Sequence, residues 1–259
     1  MEQKIALLAD MIVQSERMVI LTGAGISTES GIPDFRGPDG IWEQYDPSDF
    51  TYQKFVKSAE TRQRHWQFYR SGTLGAENAQ PNPAHYAIAD LHRMGKLTCL
   101  ITQNIDNLHQ MAGFPDERVI ELHGNMRWVK CLGCGDRRSM EEVLKRVEEQ
   151  DLEEPRCELC DGILKPEGIF FGESLPETEL REATRFSRNS DVFIVIGSSL
   201  VVTPAAYMPS YALRSGARLA IVNIGSTPLD SQATLLIEAK AGEVLPAAVG
   251  IVKGQAKSN

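Results

Sequence analysis

Four of the five cysteines in this 259-residue chain stand in two Cys-x-x-Cys pairs, and this pattern restricts the fold more than any other feature. The pairs are Cys131 with Cys134 and Cys157 with Cys160. Two such turns can present four thiolates to one Zn²⁺ ion, and four cysteine ligands leave no open position for water. We therefore predict one structural zinc, with two redox-active or unliganded pairs as the alternative. The fifth cysteine, Cys99, lies in an apolar run and is predicted to be a buried strand residue.

Apolar runs of strand length alternate with helical segments along most of the chain. Strands are predicted over residues 18–21, 97–102, 118–122, 169–171, 192–196 and 218–224, and helices over residues 2–15, 83–94, 176–187 and 204–214. Strands that are buried on both faces and separated by helices indicate an α/β fold with a Rossmann-like, doubly wound parallel sheet.

Two stretches interrupt this alternation and are predicted to form an inserted smaller lobe. Residues 37–75 combine aromatic and polar residues without a strand, and residues 126–165 carry the cysteine pairs around a helix predicted over 140–150. We expect a Rossmann-like nucleotide-binding domain (1–36, 76–125 and 166–252), a helical insertion (37–75), a zinc-ribbon insertion (126–165) and a flexible tail (253–259). A cleft between two lobes is a common place for a ligand.

Charge and hydropathy disfavour several classes of function. Asp and Glu number 35 against 27 Lys and Arg, and the formal net charge of −8 disfavours a surface for nucleic acid or anionic membranes. Residues 1–15 lack the pattern of a secretion signal, and no apolar run approaches the roughly 20 residues of a membrane helix. We therefore expect a soluble, cytoplasmic protein.

The first predicted strand runs into a glycine loop of the kind that binds dinucleotides. Gly23 and Gly25 would let backbone N–H groups approach a pyrophosphate at a helix N-terminus. Thr28 occupies the third glycine position, and no second strand ends in an acidic residue where a dehydrogenase would bind ribose, so hydride transfer is disfavoured. On the glycines alone, a plain turn is an equally good interpretation.

Several further motifs follow this loop in order. They are residues 30–37 (SGIPDFRG), 102–109 (TQNIDNLH), 121–124 (ELHG), 197–200 (GSSL) and 222–225 (VNIG). With the paired cysteines, they make the chain resemble the sirtuin family of NAD-dependent protein lysine deacylases over about residues 18–225. The resemblance implies NAD as co-substrate, one structural Zn²⁺, and acyl-lysine proteins or peptides as partners.

The resemblance also implies which residues contact NAD. The contacts near the phosphates are Gly23, Ala24, Thr28 and Arg36. The contacts at the adenosine end are Gly197, Ser198, Ser199, Asn223, Ile224 and Gly225. The pair Lys240 and Ala241 aligns with an adenine contact, but it departs from the family there, because Lys240 stands where the family has an acidic residue. The nicotinamide end is formed by Gln103, Asn104, Ile105 and Asp106, and Phe35 would shield the reacting ribose from water.

His123 is the general base that the resemblance implies, with Asn104 and Asp106 beside it in the catalytic set. An imidazole titrates near neutral pH, so it can take a proton from a ribose hydroxyl once the acyl oxygen has attacked the anomeric carbon. His109 is the competing candidate for the base, with a local structural role as its alternative. The other histidines are predicted to be surface or packing residues.

Two further segments, residues 168–173 and 200–202, resemble the edges between which the family holds an extended peptide. An added strand gives affinity through backbone bonds with little readout of sequence. On pattern alone, both segments are equally good core strands. The implied substrate contacts are Ile169, Phe171, Gly172, Glu173, Leu200 and Val201.

One departure from the family concerns the acyl group. Relatives that prefer succinyl place Tyr and Arg three residues apart in the small lobe. Here Tyr69 matches, but Gly72 occupies the Arg position, with Arg70 nearby. Without a guanidinium to pair with a carboxylate in an apolar tunnel, an uncharged acetyl or longer alkyl group is favoured.

Two rival functions remain open at this point. One is an NAD glycohydrolase or mono-ADP-ribosyltransferase, which also releases nicotinamide. The other is a zinc-ribbon module that reads acyl-lysine and holds NAD as a structural ligand. His123 argues against the reader, because a reader needs no base at that position.

Overall fold

The computed structural model describes residues 1–37, 40–72 and 79–256. The strands are β1 (Met18–Thr22), β2 (Leu97–Thr102), β3 (Val119–Glu121), β4 (Trp128–Cys131), β5 (Arg137–Ser139), β6 (Leu164–Pro166), β7 (Val192–Ile196), β8 (Arg218–Val222) and β9 (Leu235–Ile237). The α-helices are α1 (Glu2–Gln14), α2 (Ile41–Gln44), α3 (Tyr52–Lys57), α4 (Ala59–Arg70), α5 (Pro83–Arg93), α6 (Leu108–Met111), α7 (Met140–Glu149), α8 (Glu177–Asn189), α9 (Met208–Arg214) and α10 (Ala241–Ala256). None of the helices in these three ranges is both long and apolar enough to span a membrane.

The larger sheet is parallel throughout and has the strand order β3-β2-β1-β7-β8-β9. Thr22 at the end of β1 pairs with Thr102 of β2 and with Ile196 of β7, so these three strands end at the same level. Loops that follow parallel strands meet at one edge of the sheet. The Rossmann-like, doubly wound sheet predicted from the sequence is confirmed.

Helices cover both faces of this sheet. Ile20 of β1 belongs to one buried cluster with Ile88 of α5 and Val244 of α10. Its neighbour Leu21 belongs to the opposite cluster with Ala183 of α8. Consecutive strand residues point to opposite faces and helices cover both faces, so every residue of β1 is buried, and residues 18–21 form an unbroken apolar run. Each such aliphatic side chain contributes about 1.5–3 kcal/mol by burial.

The smaller lobe has its own sheet and its own core. Its antiparallel strands have the order β5-β4-β6. Trp66 of α4 shares one buried cluster with Val129 of β4 and Val143 of α7. The helical insertion and the zinc-ribbon insertion therefore pack on each other. Strand β6 ends at Pro166, one residue past the boundary predicted for the zinc-ribbon insertion.

Two predictions from the sequence are wrong. Residues 169–171 form no strand. The N–H of Ile169 donates to His123, and Phe171 bridges only to Thr51, because their backbone partners come from two different loops. Residues 253–256, predicted as flexible tail, complete α10, where Lys253 Nζ bonds the Asp90 carboxylate. Three parts of the predicted domains lie outside the described residues. They are residues 38–39 and 73–75 of the helical insertion, residues 76–78 of the nucleotide-binding domain, and residues 257–259 of the tail.

Candidate active site

A cavity of about 910 Å³ lies between the carboxyl edge of the parallel sheet and the smaller lobe. The loops after β1, β2 and β7 contribute Ala24, Asn104 and Ser198 to its wall. The helical insertion contributes Trp42 and Phe68. The edge where ligands bind in open α/β sheets is thus covered by an aromatic wall.

Most of the predicted site residues line this cavity. Those on its wall are Gly23, Ala24, Thr28, Phe35, Arg36, Gln103, Asn104, Ile105, Asp106, His123, Ile169, Phe171, Gly172, Glu173, Gly197, Ser198, Ser199, Asn223, Ile224 and Ala241. Three predicted contacts lie elsewhere. Leu200 is buried in the core, Val201 is 53% exposed, and Gly225 stands in an exposed turn with φ of 86°.

The glycine loop is shaped by close contact with the loop after β7. The N–H of Gly23 donates to the carbonyl of Ile196 (3.0 Å), and the N–H of Gly25 donates to that of Gly197 (2.8 Å). A Cβ atom would lie 2.7 Å from the Gly197 oxygen at Gly23 and 2.8 Å from the Gly197 Cα at Gly25. Only glycine therefore fits at these two positions. A plain turn would require glycine only for its own backbone conformation, so that interpretation does not account for the close approach of Gly197.

Ser27 links the two residues predicted at the nicotinamide end. Its hydroxyl donates to Asp106 Oδ2 (2.6 Å) and accepts from Asn104 Nδ2 (3.1 Å). Burial raises the pKa of the Asp106 carboxyl above its ordinary value, and the hydrogen bond from Ser27 opposes that shift. Ser27 is fully buried and lines the cavity, so it orients both polar groups.

His123 reaches the cavity from the loop after β3. Its Nδ1 lies 3.0 Å from the main-chain oxygen of Gln103, whose side-chain Nε2 donates to Ser198 Oγ (2.8 Å). Burial lowers the pKa of His123 below its ordinary value, although the Gln103 carbonyl raises it. The imidazole is therefore mostly neutral at pH 7 and able to accept a proton.

His109, the competing base candidate, lies away from the cavity wall. Its Nε2 is 2.9 Å from Thr22 Oγ1, which in turn donates to Thr102 Oγ1 (2.8 Å). Its ring centroid is 4.9 Å from that of His85, and burial holds the pKa of His109 well below its ordinary value. These contacts favour a structural role for His109 beneath the carboxyl ends of β1 and β2.

Aromatic rings close one side of the cavity. The centroid of Trp42 lies 5.3 Å from that of Phe35, 5.5 Å from Phe50 and 5.7 Å from Phe171. Tyr69 is also buried in the wall, whereas Arg70 is exposed. Burial raises the pKa of the Tyr69 hydroxyl.

The sequence interpretation assigned no role to Ser27, Trp42 or Phe50. Ser27 lies inside the glycine loop, so its place in the motif was a usable signal. Trp42 and Phe50 belong to the aromatic-rich stretch without strands, and only the packing of that stretch over the sheet brings them to the cavity. No spacing in the sequence indicates that packing.

The four paired cysteines meet at one point of the smaller lobe. Their Sγ atoms all lie within 4.8 Å of one another, at 3.5 Å for Cys131 and Cys160 and 3.6 Å for Cys134 and Cys157. Zn–S bonds of about 2.3 Å place tetrahedral sulfurs about 3.8 Å apart. The four thiols therefore fit one structural zinc. Cys99, by contrast, is buried in the main sheet.

Known proteins resemble the chain in both sequence and structure. The pattern that defines the Sir2 family matches residues 23–204. NAD-dependent protein deacetylase 1 of Pyrobaculum aerophilum is 44% identical over 246 residues, covering 95% of this chain and 94% of the relative. NAD-dependent protein deacetylase 1 of Bradyrhizobium diazoefficiens is 47% identical over 245 residues, covering 94% of each. A solved structure of Sir2 with a p53 peptide and NAD⁺ is 40% identical with a TM-score of 0.86, covering 98% of each chain. This chain belongs to the Sir2 family, the sirtuins that its motifs indicated.

Proposed function

We propose that this protein removes acetyl groups from protein lysine side chains with NAD as co-substrate. The products are nicotinamide, free lysine and O-acetyl-ADP-ribose. The observation that carries the proposal is that His123, Asn104 and Asp106 share one cavity with the glycine loop. The names of the relatives, and the solved Sir2 bound to a p53 peptide and NAD⁺, support it.

NAD would lie along the carboxyl edge of the sheet. We assign the pyrophosphate to the glycine loop, with the guanidinium of Arg36 as the nearby positive charge. We assign the adenosine to the loops after β7 and β8 and to the first residue of α10. The contacts at that end are Gly197, Ser198, Ser199, Asn223, Ile224 and Ala241. Gly225 would act on the loop shape, because its carbonyl accepts from Asn223 Nδ2 (3.0 Å).

The nicotinamide would be held by the group that Ser27 organises. Asp106 can accept a hydrogen bond from the carboxamide, and the neighbouring Gln103, Asn104 and Ile105 complete the wall. Phe35, whose ring packs against that of Trp42 at an angle of 36°, would keep water away from the ribose carbon that nicotinamide leaves.

His123 would move the proton that completes the transfer. The acetyl oxygen attacks the anomeric carbon as nicotinamide departs, and His123 Nε2 then accepts a proton from a ribose hydroxyl. The hydroxyl oxygen attacks the acyl carbon, and the lysine amine leaves with the proton that His123 accepted. Water then adds to the acyl carbon, which bridges two ribose oxygens, and the bond from that carbon to the anomeric oxygen breaks to give acetyl-ADP-ribose. A neutral imidazole is needed at that step, in agreement with the lowered pKa of His123.

The peptide would lie beside the segment 169–173. Ile169 and Phe171 line the cavity and would wall the channel for the acyl-lysine stem. Val201 exposes an apolar side chain on the opposite edge, and the buried Leu200 would support that edge from the core. Because the N–H groups of residues 169–171 all donate within the protein, we propose that this loop contacts the extended peptide only through its carbonyl oxygens.

We also propose the domain organisation predicted from the sequence, with residues 253–256 moved from the flexible tail into α10 and the zinc holding the smaller lobe. The two separate sheets support this division. The cysteine cluster needs reduced thiols to bind zinc, which favours a reducing, cytoplasmic compartment.

The test is to incubate the protein with NAD, with and without an acetyl-lysine peptide, and to follow peptide mass and nicotinamide. We expect deacetylation only with NAD, and nicotinamide release that depends on the peptide. Nicotinamide release without peptide, with lysine still acetylated, would favour the glycohydrolase. ADP-ribose attached to protein would favour the transferase, and binding of acetyl-lysine without any product would favour the reader.

A further inference from the structure

Lys165 is a buried lysine in β6, 5% exposed, that the reaction described above does not use. Its Nζ donates to the carbonyl of Pro166 (2.8 Å), to that of Gly168 (2.9 Å) and to Glu173 Oε2 (3.0 Å). The same Nζ lies 4.3 Å from the ring centroid of Phe170. An ammonium has three N–H donors, so every donor of Lys165 is used inside the protein.

Lys165 and Glu173 together fix the backbone of the segment 166–173 through hydrogen bonds to its carbonyl and N–H groups. The same Glu173 oxygen that pairs with Lys165 accepts from the N–H of Phe170 (2.9 Å), and the N–H of Glu173 donates to the Phe170 carbonyl (3.0 Å). Burial lowers the pKa of Lys165, and the Glu173 carboxylate raises it again. A buried ion pair with several hydrogen bonds fixes geometry more than it adds stability.

This segment connects the two sides of the cavity. The N–H of Ile169 donates to the carbonyl of His123 (2.8 Å). The N–H of Phe171 donates to the carbonyl of Phe50 (3.0 Å), and the carbonyl of Phe171 accepts from the N–H of Tyr52 (2.9 Å). The conformation of the segment therefore sets how far the side chains of Ile169 and Phe171 stand from His123.

We propose that Lys165 and Glu173 are positioning residues for the acyl-lysine. Their ion pair closes the segment 166–173 into the one conformation in which its side chains wall the acyl-lysine channel beside His123. Glu173 then acts through Lys165 and not, as the family resemblance implied, as a direct contact of the substrate. This inference rests on the proposed deacetylase function.

The test compares the KM for an acetyl-lysine peptide with the KM for NAD and with kcat. A residue that positions the acyl-lysine should change the peptide KM alone. We expect Lys165→Met and Glu173→Gln to raise the peptide KM about tenfold while the KM for NAD stays within about twofold. The double variant should cost less than the sum of the two single changes, because it leaves no unpaired charge. Lys165→Arg should recover most of the peptide affinity, since a guanidinium can keep the charge and the carbonyl bonds.

Lys130→Met is the matched control. Lys130 is the register partner of Lys165 on β4 but is exposed, so its loss should leave all three constants unchanged. Zinc content and thermal unfolding are measured for each variant, and Glu173→Gln, which retains the side-chain shape, covers the case in which Lys165→Met fails to fold.

An unchanged peptide KM in a folded Glu173→Gln variant would overturn the inference, as would a parallel loss of NAD affinity, kcat and thermal stability. A wild-type protein without any deacetylation overturns the proposed function itself, and the inference with it.

Discussion

The Nδ1 atom of His123 lies 3.0 Å from the main-chain oxygen of Gln103. A carbonyl oxygen can only accept, so Nδ1 carries the proton and Nε2 keeps its lone pair. This contact joins the loop after β3 to the loop after β2 and fixes the imidazole in the tautomer that a general base requires.

Replacement of His123 tests that role directly. His123→Ala removes the proton acceptor, and we expect kcat/KM for an acetyl-lysine peptide to fall about a thousandfold. Zinc content and thermal unfolding should match those of the wild type, because the side chain lies on the cavity wall. A variant that keeps a tenth or more of the wild-type rate would show that another group is the base.

The acidic limb of the pH profile follows from the burial of His123. Protonation removes the base, so kcat/KM should fall as pH decreases through the pKa of His123. Because burial lowers that pKa, we expect the midpoint of the limb below 6.5. The profile is measured with NAD and peptide both far below their KM. A midpoint above 6.5 would contradict the environment described for this imidazole.

Much of the fold followed from the sequence, because strands buried on both faces appear as unbroken apolar runs and their ends carry the polar motifs. The two cysteine pairs were equally informative, since their thiols now lie within 4.8 Å of one another. The strand predicted over residues 169–171 was wrong, because an apolar run does not reveal that its backbone hydrogen bonds go to His123 and Phe50. Trp42 was missed because its position depends on packing between segments distant in the chain.

Buried His85 should make the fold sensitive to acid. Desolvation lowers its pKa to about 4, so between pH 6.5 and 4 the folded state binds fewer protons than the unfolded state. The free energy of unfolding should therefore fall by about 3 kcal/mol as pH drops through that window, measured by urea unfolding. His85→Gln, which can keep the cap contact to the Asn82 N–H, should remove much of this dependence. An unchanged slope in that variant would assign the sensitivity to other groups.

The zinc cluster should support the smaller lobe without entering the reaction. Cys131→Ser removes one ligand, so we expect loss of bound zinc and a fall of roughly 10 °C or more in the midpoint of thermal unfolding. Cys99→Ala is the control, because Cys99 lies in the main sheet and should leave zinc at one per chain. A Cys131→Ser protein that lacks metal and unfolds at the wild-type temperature would contradict the structural role.

The acyl preference follows from the wall around Tyr69. Gly72 supplies no guanidinium, and Arg70 is exposed, so a succinyl carboxylate would be buried without that partner. With peptides of one sequence, kcat/KM should be about a hundredfold higher for acetyl-lysine than for succinyl-lysine. Equal rates on the two peptides would show that another cation reaches the acyl end.

The fate of the acetyl oxygen is a direct test of the proposed deacetylation. An acetyl-lysine peptide carrying ¹⁸O in the acetyl group is incubated with the protein and NAD. The reaction is quenched early, and the masses of the products are measured by mass spectrometry. We expect one nicotinamide and one acetyl-ADP-ribose for each free lysine, with the ¹⁸O on the acetyl-ADP-ribose. Labelled free acetate, or nicotinamide released while the lysine stays acetylated, would contradict this proposal.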